Sequence, residues 1–257
     1  MRCNDLIDLS QKIAILAYHR VGSPPRGARY RGQYVSPAHL RRHIDLLQVA
    51  GYQFVTLQEA LRRSLARQVE PLASGDANSP LAVVTFDDGY RNNLELGAPV
   101  LSSMGIPATV FVVTRDVGKQ ALTWSEAGET NPADLLTWDE IRQLRKMGWE
   151  IGSHCSEHVH LARRTAEKQK ALLNDSLEDL QTQLGAGTYS LAYPFGSFNS
   201  DTIAIMKETG FSCAVTTEVG INQSIRSVYE LARLPMKGYR FDHYWRSKSW
   251  LKDALRT

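Results

Sequence analysis

Apolar residues recur along the chain in short runs, set between longer stretches of helical periodicity. Ile13–Tyr18 is an uncharged run of six residues, the length of a buried strand. Ser36-Pro37 then opens a segment in which Leu40, Ile44, Leu46 and Leu47 recur at helical spacing until Gly51. Phe54-Val55-Thr56 predicts a short strand, and residues 57–67 a second helix. Residues 70–80, EPLASGDANSP, are turn formers and small polar residues. They predict a surface loop rather than a domain linker, because the strongly apolar Leu81–Phe86 follows at once. Beyond it the pattern predicts helices over 92–104, 137–147, 165–184 and 200–209 and strands over 108–113, 149–153, 189–193 and 213–216. Gly148 and Gly210 stand as stops for two of those helices. Each strand-plus-helix step takes roughly 30–40 residues, the rhythm of a parallel sheet with crossover helices. Seven or so such steps predict an α/β fold closed, or nearly closed, into a barrel.

A length of 257 residues suits one barrel, so the chain reads as a single domain over 1–257. Hydrophobic residues make up 43% and charged residues 22%, which excludes a disordered chain, a fibre and a coiled coil. Lys and Arg number 30 against 27 acids, a net +3 that gives no case for nucleic-acid binding. The three cysteines form no CxxC and cannot all pair within the chain, so reduced thiols and a cytoplasmic location are expected. No export signal is read at the start, where Asp5 and Asp8 precede a short apolar run. The uncharged stretch 96–114 contains Gly97, Pro99, Gly105 and Pro107, which fits two core elements and a turn rather than a membrane span.

Candidate chemistry gathers just past the strands, where parallel α/β folds place functional groups. Thr85-Phe86-Asp87-Asp88-Gly89 ends a buried strand in two adjacent acids, which repel unless a cation or proton lies between them. A solvated turn with a helix-capping Asp is the plainer reading, and the two weigh evenly. His154 and His158 lie four apart past the strand at 149–153, and with one carboxylate would make a metal site with open positions for water. Scattered surface histidines are the plainer reading there, weakened because three of the seven histidines fall between 154 and 160. His160 is the poorer ligand by spacing. Tyr193-Pro194-Phe195-Gly196 joins a strand to an aromatic turn, and His19 closes the first strand as a candidate acid or base. Each of these last two reads by itself as structural.

Together the segments resemble the polysaccharide deacetylase family, also called the NodB-homology or carbohydrate esterase family 4 group. Thr85-Phe86-Asp87-Asp88-Gly89 resembles its first motif, His154 to His158 its second, and Tyr193-Pro194-Phe195-Gly196 the core of its third. The likeness runs over at least 13–235. A Leu-x-Tyr-His opening strand and an Ala-Tyr-Pro third motif resemble one subgroup more closely. The resemblance implies a distorted (β/α)7 barrel and an enzyme removing acetyl groups from sugars. By position it makes Asp88, His154 and His158 the ligands of one divalent metal, zinc first, with cobalt, nickel, manganese or iron as alternatives. Asp87 becomes the general base and the Phe195 backbone N–H the oxyanion donor, and the subgroup analogy makes His19 the general acid. Tyr193 and Pro194 become substrate-binding candidates. Ala192 stands where the third motif often carries an arginine that steadies the base; Arg20 and Arg233 both remain open as its replacement. Cys155 stands where the second motif usually has Thr or Ser, and reads as a simple replacement in a loop.

Residues 20–42 hold six arginines and no acid, three of them (Arg26, Arg29, Arg31) in a Gly/Pro-rich loop after His19. A solvated loop is the plainer reading, and a phosphate-bearing nucleotide- or lipid-linked sugar the functional one. Residues 239–257 mix Phe241, Tyr244, Trp245 and Trp250 with five basic residues. Such a tail suits either packing on the barrel or peripheral contact with an anionic membrane. The preferred function is an N-deacetylase of an amino sugar. The alternatives are a hydrolase of a non-sugar amide, such as a cyclic imide or acetylated polyamine, and a non-catalytic sugar-binding relative. The oligomeric state is left open.

Overall fold

The computed structural model describes residues 12–28, 30–69, 79–120, 134–223 and 225–237. In chain order the elements are β1 (Ile13–Tyr18), β2 (Arg20–Val21), β3 (Tyr34–Val35), α1 (Pro37–Val49), β4 (Gln53–Phe54), α2 (Leu57–Val69), β5 (Leu81–Phe86), α3 (Ala98–Ser103), β6 (Thr109–Val112), α4 (Trp138–Lys146), β7 (Glu150–Ser153), α5 (Ala166–Leu184), β8 (Ser190–Ala192), α6 (Ser200–Thr209), β9 (Cys213–Val219) and β10 (Leu231–Pro235).

Seven strands close a ring in the order β1, β5, β6, β7, β8, β9, β10 and back to β1, with every pairing parallel. This is the expected seven-stranded barrel. All seven strands point the same way, so their C-terminal ends share one mouth. The seam between β1 and β5 is continuous, from Ile13 opposite Leu81 to Tyr18 opposite Phe86. Short β4 lies along the start of β5, ahead of the point where β6 joins it.

Alternation along the strands divides the core in two. Ala14, Leu16, Tyr18, Ala82, Val84, Phe86, Val110 and Val112 pack with Leu40 and Ile44 of α1, Leu101 of α3, Ile141 of α4 and Leu172 of α5. The intervening residues Ile13, Ile15, Leu81, Val83, Phe111, Cys213, Val215 and Leu231 form the inner cluster, closed by Leu57, Ala60 and Leu61 of α2. The start of α2 plugs the N-terminal end of the barrel: the Leu57 N–H donates to Thr109 Oγ1 (3.2 Å) and the Gln58 N–H to the half-buried Glu150 carboxylate (2.8 Å). Each fully buried Leu or Ile is worth about 1.5–3 kcal/mol. Gly152 is where the barrel has no room, since an added Cβ would meet the Phe111 ring at 2.5 Å.

The caps that the sequence advertises are made. Ser36 accepts from the His39 N–H, Thr137 and Glu140 form a capping box, Thr165 accepts from the Lys168 N–H, and Asn199 and Thr202 cap each other. The helix expected over 92–104 is present, but it opens as a wide π-helical turn over 93–97 before continuing as α3 from Ala98. Pro99 has no N–H to donate back along the helix, and Asn92 and Asn93 are engaged elsewhere: the Val21 N–H donates to Asn92 Oδ1 (3.0 Å) and Asn93 Nδ2 to the His19 carbonyl (2.8 Å). Strands β2, β3 and β10 were not among the expected elements. The loop expected over 70–80, Arg29 and the tail 239–257 lie wholly or largely outside the described residues. Cys155 and Cys213 are free buried thiols. No helix among the described residues is long and apolar enough to cross a membrane.

Candidate active site

The parity that fills the barrel also selects what faces its mouth. Continuing the inner series Ile13, Ile15 gives Ala17 and His19; Leu81, Val83 gives Thr85 and Asp87; and Leu231 gives Arg233 and Pro235. All but Thr85 line one cavity of about 680 Å³ together with Asp88, His154 and His158. Regular extension of β5 would send Asp87 and Asp88 to opposite faces. Positive φ at Asp88 (74°) and Gly89 (73°) breaks the strand there and brings both carboxylates to the cavity. The other non-glycine residues with positive φ are Cys155 (68°) and Phe195 (57°), just past β7 and just past β8. Backbone strain among the described residues is thus concentrated around one mouth.

Asp87 is gripped by Arg233. The guanidinium donates to both carboxylate oxygens, at 2.7 and 2.8 Å, and both side chains are almost wholly buried. Arg233 is itself oriented by Nε, which donates to the Thr216 carbonyl (2.8 Å), beside a register shift between β9 and β10. Burial pushes the Asp87 carboxyl up. The Arg233 charge and hydrogen bonds, helped by His154 and His19, more than offset that and hold it below the usual carboxylate range. Of the two arginines left open by the sequence, Arg233 therefore contacts Asp87. Arg20 does not: it is buried between Tyr34 and Tyr90, donating to both hydroxyls.

Asp88 faces the histidines. Its Oδ1 lies 3.4 Å from His154 Nε2 and 3.5 Å from His158 Nε2. One ligand atom from each of the three residues lies within 4.8 Å of the others. His154 Nδ1 is 2.7 Å from the Ala192 carbonyl, which can only accept, so Nδ1 carries a proton and Nε2 is the atom turned toward Asp88. Ala192 thus contributes through its backbone where the motif often uses a side chain. Burial raises the Asp88 carboxyl, but the His154 hydrogen bond and the surrounding imidazoles bring it well below the usual range. Burial first of all lowers His158 to about 3, which keeps that ring neutral. Two imidazole nitrogens and a carboxylate in a buried pocket match the donor set of a divalent metal with open positions.

Phe195 is half exposed, edge-on to His158 (4.3 Å between ring centres) and stacked on His160 (4.1 Å). His160 accordingly lines the cavity beside the cluster without joining it. Gly196 admits no side chain: a Cβ would lie 1.9 Å from Thr217 Oγ1. Tyr193, a substrate-binding candidate of the third motif, lines the cavity. The Tyr193 hydroxyl is spent on the Tyr229 carbonyl (3.0 Å) and its ring stacks on Phe198, while Pro194 is buried and does not line the cavity. In the loop after His19, Tyr30, Gly32 and Gln33 line the cavity, whereas Arg26 and Arg31 do not. Tyr90, Asn93 and Thr216 were missed by sequence reasoning. Only Tyr90, directly after the Asp-Asp-Gly motif, carried a local signal.

Comparison with known proteins agrees with this geometry. The family model for polysaccharide deacetylase matches residues 74–214. YxkH of Bacillus subtilis (strain 168) is 28% identical over 237 residues, covering 91% of this chain and 76% of the relative. A poly-β-1,6-N-acetyl-D-glucosamine N-deacetylase of Staphylococcus aureus (strain MRSA252) is 24% identical over 218 residues, covering 81% of this chain and 70% of the relative. Among solved structures, the Streptococcus pyogenes deacetylase PplD superposes with a TM-score of 0.72 at 23% identity, over 89% of this chain and 93% of that one. IcaB from Ammonifex degensii gives 0.68 at 24% identity, over 88% and 91%; these likenesses speak to the barrel alone. With more than half its length matched by the family model and the motif residues gathered at one barrel mouth, the chain belongs to the polysaccharide deacetylase family and is a hydrolase of the carbohydrate N-deacetylase class.

Proposed function

We propose that the chain is a metal-dependent deacetylase that removes the N-acetyl group from an amino sugar in a glycan. The observation that carries this reading is the division of labour between two adjacent acids: Asp87 is paired bidentately with Arg233, and Asp88 faces His154 and His158. The residues fit a divalent ion, with three donors of suitable chemistry within 4.8 Å and the His154 tautomer set by Ala192. Zinc is the first choice because imidazole and carboxylate ligands with an open position are its catalytic pattern. Such an ion, held by Asp88, His154 and His158, supplies Lewis acidity to a water and to the acetyl carbonyl.

The chain's own residues do the rest. Asp87, ionised beside Arg233, takes the proton of the attacking water. The Phe195 N–H, on a turn so close to Thr217 that a Cβ at Gly196 would not fit, donates to the carbonyl oxygen as negative charge develops there. His19 lines the same cavity as both acids, and its carbonyl is pinned by Asn93. It donates a proton to the departing amine, which leaves poorly as an anion. The products are acetate and an amino sugar. The barrel forms the catalytic unit of the single domain expected over 1–257.

A glycan is favoured over a phosphate-bearing sugar because the S. aureus relative is named for a polymer of N-acetylglucosamine, and because Arg26 and Arg31 stand away from the cavity lining. Acetate release tests both, from N-acetylglucosamine oligomers, a nucleotide-linked N-acetylhexosamine and a small acetamide. Release from the oligomers that stops on chelation supports the reading. Equal hydrolysis of the acetamide, or release indifferent to chelation, overturns it.

A further inference from the structure

Each of the two acids at the barrel mouth is buried, and a buried carboxylate needs a compensating cation. Asp87 has Arg233 in direct contact. A second buried arginine stands on the Asp88 side. Arg20, only 4% exposed, opens β2 and reaches across to the first motif. Its Nη1 donates to the Tyr34 hydroxyl (2.5 Å) and its Nη2 to the Tyr90 hydroxyl (3.1 Å). The guanidinium carbon lies 4.2 Å from the centre of the Tyr90 ring. Tyr90 is 2% exposed, follows Asp88 by two residues and lines the same cavity as its carboxylate. A phenol that accepts from a guanidinium still has its own proton to donate, and Asp88 is the acceptor beside it.

We propose that Arg20 and Tyr90 are positioning residues for Asp88: the phenol donates to the carboxylate, and the guanidinium behind it holds the phenol in place. The mouth then carries two carboxylates matched by two guanidiniums, one in contact and one relayed through a hydroxyl. The relay orients Asp88 on its own side as the Ala192 carbonyl orients His154 on the other. It leaves the carboxylate oriented toward the histidines instead of in a salt bridge, which would compete with metal binding. This inference rests on Asp88 being a metal ligand.

The test is zinc affinity, read by competition with a chromophoric chelator, together with the visible spectrum of the cobalt-loaded protein. Tyr90→Phe removes only the hydroxyl. Its expected effect is a loss of about 10–100-fold in zinc affinity, the range found when a ligand's supporting hydrogen bond is removed. The cobalt spectrum changes with it, and the melting temperature of the metal-free protein stays within a few degrees. Arg20→Met is expected to weaken binding in the same direction, Arg20→Lys to recover part of the loss, and the double variant Arg20→Met/Tyr90→Phe to be no weaker than Tyr90→Phe alone. Should Tyr90→Phe fail to fold, the pair Arg20→Met and Arg20→Lys decides by the same readout. Affinities within twofold of the parent, or additive losses in the double variant, overturn the proposal. Asp88→Ala separates the two levels: if it binds zinc as the parent does, the ligand assignment fails. If it loses zinc while Tyr90→Phe and Arg20→Met do not, only the positioning role fails.

Discussion

Asp87 and Asp88 leave the same strand one after the other, and their neighbours give them different work. Arg233 meets Asp87 with two hydrogen bonds, so Asp87 stays ionised and free of the histidine cluster. Asp87→Asn is therefore expected to lower turnover by about 10²–10⁴-fold, the usual worth of a general base, while metal content measured by atomic absorption stays at the parent level. Asp88→Ala is expected to lose both. Arg233→Gln removes the largest cause that holds the Asp87 carboxyl down, and leaves burial, which pushes it up. The base then protonates at higher pH, so the acid limb of the kcat/KM profile is expected to move upward in pH. An unmoved limb would show that Arg233 does not act on the base. The same change strips a buried carboxylate of its partner and is expected to cost about 3–5 kcal/mol of stability, read by denaturant unfolding. Asp87, Asp88, His154 and His158 were legible in the sequence because each motif lies within a few residues just past a strand. Arg233 was visible only as one of two candidates. It reaches Asp87 across 146 residues of chain, and no local pattern states which arginine closes such a gap. Tyr90 and Asn93 also act through long-range contacts, with Arg20 and His19, 70 and 74 residues away.

Strands with apolar residues on both faces hide the alternation that matters most. The runs Ile13–Tyr18 and Leu81–Phe86 read as continuous hydrophobic segments, because helices cover one face and the barrel interior the other. Which residue faces the mouth is settled only when the ring closes. Strand β10 escaped notice because Leu-Ala-Arg-Leu-Pro carries an arginine in mid-run and ends in proline, and that arginine is the one the site uses. Strands β2 and β3 have two residues each, too few to leave a pattern. The helices were legible because Ser36, Thr137, Thr165 and Asn199 announce their starts. Helix α1 carries a further consequence. His43 is buried against Tyr18, whose hydroxyl lies 2.9 Å from its Nδ1, and burial lowers the imidazole to about 3. In the unfolded chain it titrates near 6.5, so below that pH the unfolded state takes up a proton that the folded state refuses. Stability is expected to fall from about pH 6.5 toward pH 3, by up to about 1.4 kcal/mol per pH unit from this group. His43→Gln is expected to flatten that slope in denaturant titrations at pH 7 and pH 5. At the turn after β8, Gly196→Ala has to displace Thr217, and is expected to lower turnover while leaving zinc content unchanged.

At the scale of the whole molecule, seven parallel strands deliver their ends to one opening, and helix α2 closes the other. The cavity of about 680 Å³ therefore has a single chemical lining: the two acids, the imidazoles and Arg233 at its floor, and Tyr30, Gln33, Phe195 and Lys237 among its walls. The rhythm of strand and helix sufficed to foresee the barrel, and the motifs its mouth. The loop after His19 contributes Tyr30 and Gln33, whereas Arg26 and Arg31 are not among the lining residues, because charge composition does not say which side of a loop faces inward. The central claim is that Asp87 is the base of a metal-dependent N-deacetylase acting on an amino-sugar glycan. It is tested most directly by the acetate released from N-acetylglucosamine oligomers by zinc-loaded parent and zinc-loaded Asp87→Asn, each before and after chelation. The account predicts release by the parent alone, abolished by the chelator and restored by zinc. Release by Asp87→Asn at the parent's rate, or by the parent after its metal has been stripped, would contradict it.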